Sequence, residues 1–467
     1  MNKLILKFLQ RGKYIFDIVT DDRIKSNVLK AIPFWIASLL TGLIAVGYSR
    51  LFSFFENILQ QLLHWHSWFI FIAAPVCFYL AWYTVQLFAP NAKGSGIPQV
   101  MAAIDLSNPK YNHDPAYKYK VSALLSFRII ITKIASSLLM VLGGGAIGRE
   151  GPTIQIAGSV FMLVNKYIPK TWPKLSKRSF ILTGAAAGLA AAFNTPLGGV
   201  VFAIEELSKI HVRFFRTALF SAVIIAGLTA QNFLGPYLYL GYPDVHNLHF
   251  SIFFGVAATA VLAGLSGALM CKWILQLMKW KRKFNRTQVI LFLLLSGLFI
   301  ASVAYFLNDG ILGSGKELMN NTLFSADKYL PWHTVIMRII GPLIAFNTGA
   351  AGGVFAPSLA GGASLGAFIA GLFHIAGSNA NILILSGMVG FLTGVTRTPF
   401  TSAILVLEMT DRHSVIFHLM IAAMLSNAAA LLIDKHSFYE QLKKGYIEDS
   451  TDENSKAKAE KPSPGFP

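Results

Sequence analysis

The chain has 467 residues, 54% of them hydrophobic and only 13% charged, with a formal net charge of +18 and a mean hydropathy of +0.55. Soluble domains carry about 25% charged residues, so these values exclude a string of soluble domains and describe an integral membrane protein. The positive charge would suggest nucleic acid in a soluble chain. Here Lys and Arg gather between apolar runs, which is how a membrane protein is oriented, and no nucleic-acid partner is expected.

Residues 1–30 hold Lys3, Lys7, Arg11, Lys13, Arg23, Lys25 and Lys30 and form a basic, cytoplasmic N-terminal segment. They show no cleavable signal pattern, so the segment is expected to be retained. Two apolar runs follow, near residues 31–55 and 68–88, each long enough to span at about 20 residues per crossing. No Lys or Arg occurs in residues 51–92 or 217–271, which places the polar loops at 60–67 and 237–247 outside. Further basic clusters at 166–178 and 272–286 belong with the cytoplasmic side. Cys77 and Cys271 lie in apolar runs without metal or redox spacing and read as packing residues. His64 and His66 flank Trp65 and read as part of an interfacial aromatic cluster; no metal site and no cofactor are expected.

Residues 94–98, Gly94, Ser95, Gly96, Ile97 and Pro98, would offer a hydroxyl donor between two glycines ahead of a helix starting at Pro98. Standing alone they read as a helix-initiating turn. From residue 121 onward the apolar runs are interrupted by Gly and Pro, so many helices must stop inside the membrane. Such backbone is tolerated only where protein or a water-filled cavity surrounds it. The densest interruption, G-G-G-A-I-G-R-E-G-P at 143–152, carries one charged pair, Arg149 and Glu150, among Gly148, Gly151 and Pro152. Pro152 suits the first turn of a helix, and the amides of Glu150, Gly151 and Thr153 would then be unpaired. Unpaired amides at a helix start, backed by the peptide dipoles, make an anion site without a cationic side chain. Glu150 brings its own anion there: ionised, its carboxylate can take the place of a free anion, and protonated it can leave.

The chain also repeats itself. Residues 188–207 and 390–410 align Thr195-Pro196 with Thr398-Pro399, and a glutamate, Glu205 or Glu408, stands nine residues beyond each proline. A-I-G-R-E-G-P ending at Pro152 lies over A-G-G-V-F-A-P ending at Pro357. The offsets of 205 and 203 residues agree, which argues for a duplicated bundle with a binding site at its midplane; spacing leaves open whether the copies are inverted or parallel. In the second copy, Gly353, Val354, Phe355, Ala356 and Pro357 would again open a helix with unpaired amides at Val354 and Phe355. The acidic, Pro- and Ser-containing residues 448–467 have nothing to bury and are expected to be disordered.

The runs G-S-G-I-P, G-R-E-G-P and G-G-V-F-A-P, in this order, resemble the three signatures of the CLC family of chloride channels and proton-coupled chloride transporters, and the resemblance extends from the first spanning helix to Tyr439. It implies an all-α polytopic membrane protein with an inverted repeat of tilted, broken helices, in the inner membrane of a bacterium, with both termini cytoplasmic. The domains would be the basic segment 1–30, a membrane domain at 31–440 with repeats at about 31–235 and 250–440, and a tail at 441–467. The implied partners are chloride, protons, the lipid bilayer and a second copy of the chain. Chloride would be held by the hydroxyls of Ser95 and Tyr439 and the amides of Val354 and Phe355, with Glu150 matching the external gate. Serine rather than proline at 95 matches the chloride-preferring members. Glu206 matches the glutamate that exchanges protons with the cytoplasm in transporters; the alternative is an interfacial carboxylate near Lys209. Glu205 and Glu408 read as structural or water-facing. Gln99 departs from the glutamate of many relatives. A proton/chloride exchanger, not an enzyme, is the reading this supports; a passive chloride channel and a cation transporter using the glutamates are the alternatives.

Overall fold

The computed structural model describes residues 22–459 except 109–114, 170, 174, 209–215, 236–238, 247 and 308. The described residues are helical, with no strand beyond two isolated bridges. In chain order the helices are α1 (Asp22–Trp65), α2 (Ile70–Phe88), α3 (Ile97–Leu106), α4 (Pro115–Leu124), α5 (Phe127–Leu142), α6 (Glu150–Tyr167), α7 (Lys177–Phe193), α8 (Pro196–Phe202) and α9 (Arg216–Leu234). The second half holds α10 (Ile252–Lys281), α11 (Arg286–Phe306), α12 (Lys316–Phe324), α13 (Trp332–Asn347), α14 (Phe355–Leu372), α15 (Gly377–Thr396), α16 (Pro399–Thr410), α17 (Ile416–Leu431) and α18 (Phe438–Ala459). Nine spans among the described residues are long and apolar enough to cross a bilayer. The chain is a multi-pass membrane protein.

The Gly and Pro interruptions become helix ends. α7 stops at Asn194, whose φ of 56° is left-handed, and α8 begins two residues later at Pro196; α15 stops at Arg397, φ 61°, and α16 begins at Pro399. A proline at the first helical position gives up an amide that had no partner there. Arg397 is held in its turn by its guanidinium, which donates to the carbonyls of Gly394, Ala430 and Asp434.

α8 and α16 show how the two halves are related. The Glu408 carboxylate, near the end of α16, accepts from Leu197 N at 3.0 Å and Gly198 N at 2.8 Å, at the start of α8. Reciprocally, Glu205 accepts from Phe400 N at 3.2 Å, Thr401 N at 2.6 Å and Thr401 Oγ1 at 2.7 Å, at the start of α16. Each helix therefore begins where its counterpart ends, so the two run antiparallel. Equivalent helices can do this only if the copies are inverted, which answers the question the spacing left open. Both glutamates serve as helix caps that join the halves, and each carboxylate meets two free backbone amides at the positive end of a helix.

α15 is the buried centre, with 94% of its apolar window covered against 33% for α9. Its packing on α14 depends on missing side chains: a Cβ on Gly362 would collide with the Gly387 carbonyl, and one on Gly387 with the Gly362 carbonyl. Small residues are what let membrane helices approach this closely. At the C-terminal end α18 runs to Ala459; Lys, Glu and Ala are good helix formers even in a polar stretch. Residues 460–467, like 1–21, lie outside the described residues. Gly362→Val is expected to destabilise the fold by about 1–3 kcal/mol through overpacking, read as a lowered thermal unfolding midpoint in detergent; an unchanged midpoint would contradict this packing.

Candidate functional site

Three glycine-containing loops meet between the halves. Gly148 N donates to Gly353 O at 2.7 Å and Gly353 N to Gly148 O at 2.9 Å. These two residues are repeat equivalents, 205 positions apart, so their reciprocal pair lies on the internal pseudo-twofold. Beside it, Gly94 N donates to Ala350 O at 2.8 Å and Gly352 N to Gly94 O at 3.1 Å. Gly96 has φ 102°, and a Cβ there would fall 2.9 Å from the Gly151 carbonyl. Glycine is required at this junction for both reasons.

The pairing points three helix starts at one another. The first intrahelical bonds are Val100 N to Gly96 O in α3, Thr153 N to Arg149 O in α6 and Ser358 N to Val354 O in α14. The amides of Glu150 and Gly151, and those of Val354, Phe355 and Ala356, precede them and have no partner within their helices. Thr153 is a correction to the sequence reading, since its amide already donates to Arg149 O at 2.9 Å. Pro98 is the second residue of α3, one further in than expected, and Pro152 and Pro357 are the third residues of α6 and α14, within the first turn as expected.

Glu150 is fully buried. Its carboxylate lies over Gly148, close enough that a Cβ on that glycine would collide with Oε2, and it faces the amide of Ala356 on α14. The side chain of one half therefore reaches the helix start of the other. Ser95 Oγ and the Tyr439 hydroxyl are equally enclosed and face each other, yet neither completes a hydrogen bond. Buried hydroxyls without partners are uncommon. Here they stand with helix-start amides that have no partner within their helices, so the arrangement offers donors to a small anion. Arg149, its neighbour in sequence, places a positive charge within electrostatic reach of Glu150, and its guanidinium donates to Ser49 O at 3.2 Å.

Glu206 is buried on a π-helical turn, Ala203–Ser208, that prolongs α8. Tyr439 lies within electrostatic reach of both Glu150 and Glu206. Lys209, offered as an alternative partner of Glu206, lies outside the described residues.

Several supports were not anticipated from sequence. Lys133, fully buried in α5, donates to Ala92 O at 2.9 Å and Gly94 O at 2.8 Å. Lys281 donates to Asn347 O at 2.6 Å and Thr348 O at 2.9 Å, just ahead of the second-half loop. Each amine thus gives a partner to two backbone carbonyls at the edge of a glycine loop. A lone lysine in the apolar run R-I-I-I-T-K-I-A was a readable signal, because an unpaired cation at that depth is costly. Gln99 Nε2 donates to Lys93 O at 2.6 Å and to the Tyr446 hydroxyl at 2.9 Å. With the Lys443–Asp105 ion pair at 2.8 Å, this ties α3, which follows Ser95, to α18, which carries Tyr439. Tyr239 Oη donates to Glu150 Oε1 at 3.4 Å from the segment between α9 and α10.

Residues 76–431 match the family model described as voltage gated chloride channel. The chain belongs to this family, the CLC proteins. It is 26% identical over 456 residues to the H(+)/Cl(-) exchange transporter ClcA of Salmonella arizonae, covering 93% of this chain and 92% of that one. It is also 26% identical to ClcA of Citrobacter koseri, over 89% and 88% of the two chains. Among solved structures it shares its fold with a slow cyanobacterial Cl-/H+ antiporter, at TM-score 0.77 and 22% identity over 90% of this chain and 98% of the other. A CLC-type fluoride/proton antiporter superposes at TM-score 0.73 and 18% identity, with the same coverage.

A side chain at Gly151 would collide with Ser95 Oγ. Gly151→Ala is therefore expected to weaken halide binding on the order of tenfold through displacement of that hydroxyl, measured by titration calorimetry on purified protein; unchanged affinity would show that Ser95 is not part of the site.

Proposed function

We propose that this protein exchanges chloride for protons, with Glu150 as the gate on the external side and Glu206 as the site that exchanges protons with the cytoplasm. The observation that carries this reading is the Glu150 carboxylate, buried and turned toward the Ala356 amide at the start of α14. A side-chain anion and a free anion compete there for one set of peptide donors. The names of the ClcA relatives support the choice of ions.

Chloride would be held by the hydroxyls of Ser95 and Tyr439 and the amides of Val354 and Phe355. Gly94, Gly96, Gly148, Gly151 and Gly353 allow the backbones to approach, while Ile97, Pro98, Arg149, Pro152, Ala356 and Pro357 form the surrounding turns. The cycle needs no covalent step. An ionised Glu150 occupies the anion place; a proton removes its charge and its attraction to the amides, and chloride displaces it. Loss of the proton reverses the exchange. Because proton and chloride act on one carboxylate and one site, binding of each alters the affinity for the other reciprocally. Glu206 supplies protons from the opposite side, past Tyr439. A channel would lack this second acid, which is why its burial on the π-helical turn favours exchange.

A homodimer with one pathway per subunit completes the proposal. α8 with its π-helical turn, α16 and α17 expose Leu197, Ile204, Phe400 and Phe417 beside the half-buried Glu205 and Glu408. Carboxylates at helix starts are poorly suited to face lipid, and a second copy of the same face would cover both them and the apolar side chains. Both termini are assigned to the cytoplasm.

Proteoliposome measurements of chloride and proton flux together test the assignment. Glu150→Gln is expected to abolish proton movement and leave chloride flux insensitive to pH. Glu206→Gln is expected to stop proton movement while chloride still passes. Retained proton transport in either variant would remove that residue from its role, and a wild type with no proton flux would identify a channel.

A further inference from the structure

Tyr239 belongs to none of the three glycine loops. It lies in the segment that crosses from α9 to α10, is 2% exposed, and is aimed at the carboxylate assigned as the gate. The segment is fixed from the second half of the chain. Leu240 N donates to Met409 O at 3.1 Å, Arg412 Nε to Pro243 O at 2.6 Å, and Asn381 Nδ2 to Asp244 O at 2.8 Å. The ring is held as well. Phe193 meets it edge-on at 5.1 Å, and the Lys316 ammonium lies over it at 5.1 Å. A buried phenol with its ring fixed on two sides and its backbone anchored by its neighbours has little freedom except at the hydroxyl.

We infer that Tyr239 is a further gate residue: its hydroxyl donates to the Glu150 carboxylate when that side chain occupies the anion place. This rests on the gate reading of Glu150 and adds a residue to it. A donor to the ionised form of a carboxyl group favours that form. Tyr239 thus holds the gate closed against protonation. The cation over its ring draws electron density toward the ring face and makes the phenol a better donor.

The other titratable and charged groups facing Glu150 come from several elements. They are Arg149 beside it, Glu56 and Tyr48 of α1, and Tyr439 of α18. Glu56 is itself engaged, accepting from Ser314 N at 3.1 Å and Ser314 Oγ at 2.9 Å, and the Tyr48 hydroxyl is paired with Ser137 Oγ at 2.7 Å. Tyr239 meets the Glu150 carboxylate directly, donating to it through its hydroxyl.

Tyr239→Phe removes the hydroxyl and keeps the ring, so the contacts with Phe193 and Lys316 persist. In proteoliposomes, half-maximal chloride flux is expected at a proton concentration about two- to fivefold lower than in wild type, the value of one long, weak hydrogen bond to the carboxylate. The same substitution made in a Glu150→Gln chain is expected to change nothing, because the carboxylate it acts on is gone. No shift in the wild-type background, or an equal change in both backgrounds, would overturn the assignment and make Tyr239 a packing residue. The Glu150→Gln chain alone tests the underlying reading: if its chloride flux kept the wild-type pH dependence, Glu150 would not be the gate and Tyr239 would have no gate to hold.

Discussion

The reciprocal pair of hydrogen bonds between Gly148 and Gly353 is the constraint on which the rest of the site depends. It joins equivalent points of the two halves, so the internal symmetry axis passes through the place where the helix starts converge. Each half contributes a positive helix end, and neither end alone would hold an anion deep in a bilayer. Side chains are excluded from the junction for the same reason that the backbones can meet there. Glu150 breaks that symmetry: the equivalent position in the second half is Phe355, so only one of the two helix starts carries an acid.

Burying so many polar groups requires that their partners be arranged throughout. The carbonyls nearest the junction are taken up by Lys133 and Lys281, which leaves the amides as the dominant feature of the local field. The antiparallel helices α8 and α16 use Glu205 and Glu408 to satisfy each other's first amides, and the π-helical turn bearing Glu206 follows directly from one of these caps. π-helical turns inside α-helices are common at functional sites. Gln99 and Tyr446 serve the opposite end, keeping Ser95 and Tyr439 facing across a narrow gap. The membrane environment explains this density of engaged polar groups, since an unpaired one costs several kcal/mol there.

Much of this was legible in the order of residues. Glycine and proline at 94–98, 148–152 and 353–357 marked the three loops, and the common offset of the two halves marked the duplication. Their positions could be read because glycine and proline act locally, on their own backbone. What could not be read were contacts made across the fold. Glu205 and Glu408 were visible as a pair nine residues beyond matching prolines, but that each caps the other's helix depends on the antiparallel packing. Tyr239 carried no signal at all, because its segment has no motif and its target lies 89 residues away in sequence. The spare amide assigned to Thr153 failed for a smaller reason: the helix starts two residues before the proline, and this uses that donor.

The central claim is that a carboxylate and a halide occupy the same amide-lined place in turn. Anomalous diffraction from crystals soaked in bromide, collected across a range of pH, tests it most directly. The account predicts a bromide peak among Ser95, Phe355 and Tyr439, and a second peak at the Glu150 carboxylate position that grows as protonation displaces that side chain. Bromide absent from both positions at every pH, or a second peak appearing with the Glu150 carboxylate still in place, would contradict it.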